Sequence, residues 1–194
     1  MRTLHLVRHG RPFVDADVPA NRWPLHPDAA SAIACLRASG VLPEHARWFS
    51  SPEPKAHRTA RLLTDSSVTV YDALGEVTRP GCPDDFAVRA RRGFAEPDVP
   101  AAPGWETYTA ARQRIVRAVR KLRDGLDGAD LVVVGHGTVL TLLVAELTGA
   151  VPDVAAWEWL GFPDHCALDA DAGGVVSPWG RSSPAARPKG PASR

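Results

Sequence analysis

The chain has 194 residues, of which 44% are hydrophobic, enough for one domain with a substantial core. Its 23 lysines and arginines nearly balance 22 aspartates and glutamates, so the formal net charge of +1 offers no general attraction for nucleic acid or an anionic membrane. No apolar run approaches the roughly 20 residues that span a bilayer, and no signal-like segment opens the chain. The three cysteines lie far apart, without the paired spacing of a zinc site. We therefore expect a soluble cytoplasmic protein.

The first part of the chain alternates apolar runs with helical patterns. Residues 3–7 form an apolar run typical of a buried strand. Residues 28–39 are alanine-rich and end before a glycine, and residues 55–63 follow a Ser-Ser-Pro turn, so both segments are predicted as helices. Residues 68–71 are predicted as a further strand.

The middle of the chain contains an insertion and a long helix. Residues 79–103 carry several prolines and a cluster of arginines, which predicts an ordered insertion over the sheet with a short helix near residues 84–92. Apolar positions recur at helical spacing through residues 105–122, with arginines on the other face. This segment is predicted as the longest helix, with a solvated basic face.

The last part of the chain completes the predicted domain. Residues 131–134 form a β-branched run of the kind buried on both faces, and residues 138–148 are predicted as an apolar helix. This alternation favours an α/β fold, a three-layer α/β/α sandwich with a mostly parallel central sheet. After residue 176 the chain is rich in proline, serine, alanine and basic residues. We therefore predict one domain over residues 1–176 and a flexible tail without catalytic role over residues 177–194.

Two histidines occupy equivalent places, each directly after a predicted strand. His9 lies in the sequence Arg-His-Gly, and His136 lies in Gly-His-Gly. Parallel strands carry functional groups at their carboxyl ends, and glycines there let a ligand approach the backbone and the N–H groups of the next helix. Taken alone, each histidine also fits a packing or capping role. Their equivalent positions favour a shared phosphate site, with a histidine as candidate nucleophile and Arg8 as the cation that holds the anion.

Three motifs together carry a resemblance to a known family. They are Leu-Val-Arg-His-Gly at residues 6–10, Ser-Ser-Pro at residues 50–52 followed by a basic helix and Thr-Ala, and Val-Gly-His-Gly at residues 134–137. In order and separation they resemble the histidine phosphatase superfamily, in the branch that includes cofactor-dependent phosphoglycerate mutases. The resemblance covers residues 1 to about 165, and three further matches support it: Trp-Pro-Leu at 23–25, Leu-Gly-Glu at 74–76 and Gly-Trp-Glu at 104–106.

The resemblance implies a phosphoglycerate mutase-like α/β/α fold and a set of site residues. It implies that His9 is the nucleophile, transiently phosphorylated during the reaction. It assigns phosphate binding to Arg8, and to His136 a hydrogen bond to a phosphoryl oxygen. Fixed cations in such a pocket do the work that a magnesium ion does elsewhere, so we expect no metal and no cofactor.

Glu76 matches the family's carboxylic acid, which protonates the leaving-group oxygen and later assists the attacking water. The segment after Glu76 lacks the family's usual downstream pattern, so a charged loop glutamate is the alternative interpretation. Asp72, Asp84 and Asp85 are the other candidates for the acid.

Lys55 departs from the family, which usually has a second phosphate-binding arginine at this position. A lysine ammonium is a point charge and lacks the planar fork of a guanidinium, so Lys55 is expected to bind the substrate phosphate, but less rigidly. Arg58 lies one helical turn further on and is a candidate substitute, the alternative being an exposed surface arginine. Ser51 is a further candidate for phosphate binding, or else part of a turn and helix cap.

The functional hypothesis is metal-independent hydrolysis of a phosphomonoester, a small phosphorylated metabolite, through a phosphohistidine. A mutase-type phosphotransferase and a catalytically weak phospholigand-binding or regulatory module are the alternatives. The arginines at 79 and at 89–92 fit either a polyanionic substrate or a solvated surface. The identity of the substrate and the oligomeric state stay open at this point.

Overall fold

A computed structural model describes residues 2–125 and 128–180, and these residues form a six-stranded sheet in the order β3-β2-β4-β1-β5-β6. The four strands β3, β2, β4 and β1 run parallel, β5 pairs antiparallel with β1, and β6 pairs antiparallel with β5. The sheet is therefore mostly parallel around its centre and antiparallel at one edge. The strands are β1 (Thr3–Arg8), β2 (Ala46–Ser50), β3 (Val68–Val70), β4 (Asp130–Gly135), β5 (Asp164–Asp169) and β6 (Val175–Ser177).

Helices cover both faces of the sheet. One core cluster joins Leu6 and Val133 of the sheet to buried residues of α4 and α5, and the other joins Val7 and Val132 to α1 and α2. Successive side chains of a strand point to opposite faces, which is why Leu6 and Val7 enter different clusters. This is the predicted three-layer sandwich. The helices are α1 (Ala29–Ala38), α2 (Pro54–Leu63), α3 (Phe86–Ala95), α4 (Tyr108–Asp124), α5 (Gly137–Thr148) and α6 (Val154–Glu158), with short 3-10 turns at Ala20–Arg22 and Asp72–Leu74.

The elements follow the predictions in the first two thirds of the chain, with shifted ends. The long helix begins at Tyr108 and not at residue 105, because the Thr107 side chain accepts a hydrogen bond from the Ala110 N–H at 3.1 Å and caps the helix there. The insertion at residues 79–103 holds α3, as expected.

The carboxyl-terminal part of the sheet was not predicted. Strands β5 and β6 pair antiparallel beyond β1, and Trp179 packs against the larger core cluster. The Gly180 N–H donates to Asp164 Oδ1 at 2.9 Å, so residues 177–180 of the predicted tail lie against the domain. The rest of that tail, residues 181–194, lies outside the described residues.

Within the described part of the chain, no helix combines the length and the apolar character that a bilayer crossing requires.

The parallel strands bring three loops to one edge of the sheet. His9 N donates to Gly135 O at 3.0 Å, and Ser51 N donates to Val134 O at 3.0 Å. The backbone thus ties the loops after β1 and β2 to the end of β4. All three sequence motifs therefore meet at the same place, as their positions after parallel strands predict.

Candidate active site

A cavity of about 540 Å³ opens at this edge of the sheet. It is bordered by the loops after β1 and β4, the start of α2, the Glu76 loop and the residues before β5. Its polar lining combines cationic, acidic and imidazole groups, and four aromatic side chains complete the wall. These residues include Arg8, His9, Arg11, Glu53, Lys55, Glu76, Arg79 and His136, together with Trp23, Phe86, Trp157 and Phe162.

His9 is buried at the bottom of the cavity with one ring nitrogen engaged. Its Nδ1 lies 2.7 Å from Gly10 O, and because a carbonyl only accepts, Nδ1 carries the proton. The Nε2 atom therefore keeps its lone pair. Burial, followed by His136 and the charges of Arg8 and Lys55, holds the pKa of His9 well below its ordinary value. The ring is neutral at neutral pH, the form in which a histidine is nucleophilic.

The glycine and threonine of the motifs hold His9 in place. Gly10 N donates to Thr59 Oγ1 at 2.9 Å, and Thr59 Oγ1 donates to Lys55 O at 2.7 Å. A Cβ at position 10 would lie 2.8 Å from Ile33 Cδ1, so a larger residue there would require the Ile33 side chain of α1 to shift. The Thr-Ala segment of α2 thus fixes the loop that carries His9.

His136 lies beside His9, with ring centroids 5.1 Å apart. Its Nε2 lies 2.7 Å from Ser51 Oγ and 3.3 Å from Glu53 Oε1, whereas the buried Nδ1 has no hydrogen-bond partner among the described residues. Ser51 Oγ also accepts from Glu53 N at 3.2 Å. The hydroxyl and the carboxylate oxygen together hold the His136 ring through its Nε2 atom.

Arg8 is held by the loop before β5. Its guanidinium lies 3.6 Å from the centroid of the Phe162 ring and donates to Leu160 O, while the buried Nε has no partner among the described residues. Burial lowers the pKa of Arg8 to about 10, so the group remains cationic at neutral pH. A Cβ at Gly137 would lie 3.3 Å from Arg8 Nε, and the glycine therefore lets the guanidinium lie against the start of α5.

Lys55 lines the cavity and forms an ion pair with Glu53. Its Nζ donates to Ala20 O at 2.7 Å and contacts the Glu53 carboxylate, and both charged side chains are buried. Sequence reasoning did not identify Glu53. The available signal was an acidic residue two positions before the unusual lysine, but only the fold shows that the two side chains meet.

Glu76 lies at the amino-terminal end of α5. Its Oε1 accepts from Val77 N at 2.9 Å and Val139 N at 3.2 Å, and its Oε2 accepts from Thr138 N at 3.2 Å. The Glu76 N–H in turn donates to Glu53 Oε1 at 2.9 Å. The carboxylate therefore caps free N–H groups of the helix and faces the cavity at the same time.

Arg114 positions the Glu76 loop and was missed by sequence reasoning. The basic face of α4 was expected to be solvated, yet Arg114 is partly buried and donates to Ala73 O, Gly75 O and Glu76 O at 2.8 to 3.1 Å. It also pairs with Glu106 at 2.8 Å. Arg114 is one of five arginines in α4, and nothing in the sequence distinguishes it from the exposed ones.

The structure does not bring all candidates to the cavity. Ser51 is buried and does not itself line the cavity; its side chain contacts the His136 ring, which does. Arg58 is exposed on α2 and does not line the cavity. The three candidate aspartates are exposed outside the lining: Asp72, Asp84 and Asp85.

Comparison with known families identifies the family to which the chain belongs. The model of the histidine phosphatase superfamily (branch 1) matches residues 4–169, most of the chain. The chain belongs to the histidine phosphatase superfamily. This confirms the resemblance carried by the three motifs, and with it the prediction of a histidine phosphatase-type enzyme.

Individual relatives extend the similarity. An adenosylcobalamin/alpha-ribazole phosphatase of Salmonella typhi is 28% identical over 174 residues, covering 80% of this chain and 84% of the relative. YhfR of Bacillus stearothermophilus has a TM-score of 0.72 at 20% identity, covering 91% of this chain and 95% of that structure. A phosphoserine phosphatase mutant of Entamoeba histolytica, solved with phosphoserine, also gives 0.72 at 15% identity, covering 94% and 98%. These structures share the predicted α/β fold.

Proposed function

We propose that this member of the histidine phosphatase superfamily hydrolyses phosphomonoesters without a metal ion, through a phosphohistidine on His9. The observation that carries the proposal is the protonation and location of the His9 ring. Its Nδ1 hydrogen is held by Gly10 O, its low pKa keeps the ring neutral, and it lies in a cavity that also contains the Arg8 cation. These are the requirements of a nitrogen nucleophile facing a phosphate dianion.

In the first step, His9 Nε2 attacks phosphorus in line, the P–N bond forms and the P–O bond to the leaving group breaks. The leaving oxygen takes a proton from the Glu76 carboxyl group, while Arg8 and His136 donate hydrogen bonds to phosphoryl oxygens. The hydrogen bond from His9 Nδ1 to Gly10 O supports the positive charge that the ring acquires.

In the second step, a water molecule attacks the phosphorus of the phosphohistidine. Its proton passes to the Glu76 carboxylate, the P–N bond breaks, and phosphate leaves. His9 returns to its neutral form and Glu76 regains the proton that it gave in the first step. With the substrate and one water molecule, the groups of the chain balance the two steps.

The cavity supports a small phosphorylated metabolite as the substrate. Its volume of about 540 Å³ lies within the range of small-molecule sites, and its wall includes aromatic rings such as Trp23 and Phe162. Two of the similar proteins are named as phosphatases of alpha-ribazole phosphate and of phosphoserine, both small molecules.

The test is phosphate release from an aryl phosphate in the presence of a chelator. We expect turnover by the native protein and a loss of about 10³-fold or more in His9→Ala, with an unchanged circular dichroism spectrum. Equal rates in the two proteins would refute the mechanism. Phosphate binding without turnover in the native protein would instead favour the phospholigand-binding alternative, which the Glu53–Lys55 pair suggests by neutralising one cation of the pocket.

The role of Glu76 has its own test. Glu76→Gln keeps an acceptor for the N–H groups of α5 but has no proton to give, so the rate should fall about 10²-fold or more for phenyl phosphate. The loss should be smaller for p-nitrophenyl phosphate, whose leaving group needs less protonation. An equal loss for both substrates would contradict the acid role.

A further inference from the structure

Lys55 has few unused hydrogen-bond donors for an incoming phosphoryl group. Of its three ammonium hydrogens, one binds Ala20 O and another binds the Glu53 carboxylate, whose charge cancels that of the lysine at contact distance. The Glu53 carboxylate therefore offsets part of the attraction that Lys55 exerts on a phosphoryl dianion in the cavity. A cation of the lining without such a partner would attract the dianion more strongly.

Arg79 supplies such a charge. It lines the same cavity as His9 and His136, and its guanidinium lies 4.7 Å from the centroid of the Phe86 ring and 5.6 Å from that of Trp105. Among the described residues, its buried Nε has no hydrogen-bond partner and its guanidinium takes part in no ion pair. Aromatic faces hold a guanidinium in place without neutralising it.

The nearby arginines of α3 are different. Arg89, Arg91 and Arg92 each form an ion pair with a carboxylate, and the partners are Asp85, Glu158 and Glu96, respectively. These pairs are on the surface, where they are solvated and screened. Of the two readings that the sequence left open for this basic segment, a solvated surface fits α3, and an anion site fits Arg79 alone.

The backbone directly before Arg79 is fixed. Thr78 N donates to Glu106 Oε2 at 3.0 Å, Glu106 N donates to Thr78 O at 2.8 Å, and Glu106 is in turn paired with Arg114. Arg79 also lies three residues after Glu76, whose carboxylate is anchored on α5. The guanidinium is thus attached to the same clamped loop as the candidate acid, and a phosphate need not order a mobile segment to reach it.

The positive charge of Arg79 contributes to the lowered pKa of His136. Burial is the main reason why the pKa of His136 is well below its ordinary value, and among the cations Lys55 and Arg79 lower this pKa more than Arg8 does. Arg79 and His136 also line the same cavity.

We propose that Arg79 binds the phosphoryl group of the substrate together with Arg8, while Lys55 stays paired with Glu53. This rests on the proposed function in one respect, that the phosphoryl group lies between His9 and His136. Arg79 is then a phosphate-binding residue from the Glu76 loop, and Lys55 and Glu53 serve mainly to position His136 and the Glu76 backbone.

Calorimetric titration of the full chain with inorganic phosphate tests the proposal without requiring turnover. We expect Arg79→Gln to weaken phosphate binding roughly 10-fold to 100-fold, the loss for a hydrogen bond to a charged group, and Arg79→Lys to weaken it less. Arg92→Gln is the matched control from the same insertion and should bind phosphate like the native protein. Circular dichroism checks that each variant is folded.

Two results would overturn the proposal. One is unchanged phosphate affinity in folded Arg79→Gln, including the case in which this variant loses affinity only for phosphoserine, since Arg79 would then hold a second anionic group. The other is no phosphate binding by the native protein. Failure of the proposed function is distinguishable, because it appears as phosphate binding through Arg79 without any release of phosphate from an aryl phosphate.

Discussion

At the scale of single residues, the buried pair of Glu53 and Lys55 determines both the charge and the stability of the pocket. Removing one partner of a buried ion pair leaves an uncompensated charge. Glu53→Gln should therefore lower the free energy of unfolding by about 3 kcal/mol, measured by urea denaturation. The double variant Glu53→Leu with Lys55→Met should lose much less, because no charge remains buried. Equal stability of Glu53→Gln and the native protein would show that the pair is not needed.

His9 predicts a pH dependence that an exposed histidine would not show. Its pKa in the folded protein is well below the ordinary value of 6.5, chiefly because the ring is buried. In an NMR titration of the free protein, the His9 ring signals should show no protonation step between pH 8 and pH 6.5. A midpoint at or above 6.5 would contradict the account.

The lowered pKa of His9 also makes the free energy of unfolding depend on pH. Below pH 6.5 the unfolded chain takes up a proton on this histidine while the folded protein does not. The contribution of His9 to the free energy of unfolding is therefore fully favourable above that pH and decreases as the pH falls. His9→Ala should remove this part of the acid sensitivity.

At the scale of elements, the site depends on how α4 clamps the Glu76 loop. Arg114→Met removes three donors to backbone oxygens and the partner of Glu106. We expect a loss of about 2 kcal/mol in the free energy of unfolding and a kcat reduced more than KM is changed, because Glu76 loses its fixed position. The control is Arg117→Met, at an exposed position of the same helix, which should match the native protein. Matching losses in both variants would point to helix propensity alone.

The elements also show what the sequence could predict. The strand-to-helix loops at His9, Ser51 and His136 were predictable because strand ends, glycines and helix starts are local signals. Strand β5 was missed because two of its polar side chains are buried. Asp164 accepts from three backbone N–H groups, and His165 Nε2 lies 3.0 Å from His5 Nδ1. Some of the partners that satisfy these buried groups, Gly180 and His5, are distant in sequence and cannot be read from the local pattern.

Site residues that stand in sequence motifs could be predicted, whereas those whose roles depend on contacts between elements could not. Arg8, His9, Glu76 and His136 stand in motifs, and the structure brings all four to one cavity. The acidic partner of Lys55 and the loop clamp Arg114 were not predicted, because their roles arise from contacts between elements. Arg58 was a reasonable substitute by helical spacing, but that face of α2 is exposed.

At the scale of the whole molecule, the ordered packing of the described residues continues through β6 to Gly180. Strand β6 pairs with β5, and Trp179 packs against the core. A chain ending at Gly180 should keep the activity and the melting temperature of the full chain, measured side by side. A chain ending at Gly174, which lacks β6 and Trp179, should melt at a clearly lower temperature. Loss of activity on removal of residues 181–194 alone would contradict the assignment of no catalytic role to them.

The cavity, the neutral His9 and the surrounding cations converge on one chemical claim, a covalent phosphohistidine. The most direct test mixes the native protein rapidly with an aryl phosphate, quenches it in alkaline denaturant and determines the mass of the chain and of its peptides. We predict that the chain gains a single phosphoryl group, located on His9, and that His9→Ala gains none. Turnover without a phosphorylated His9, or a phosphoryl group on another residue, would contradict the account.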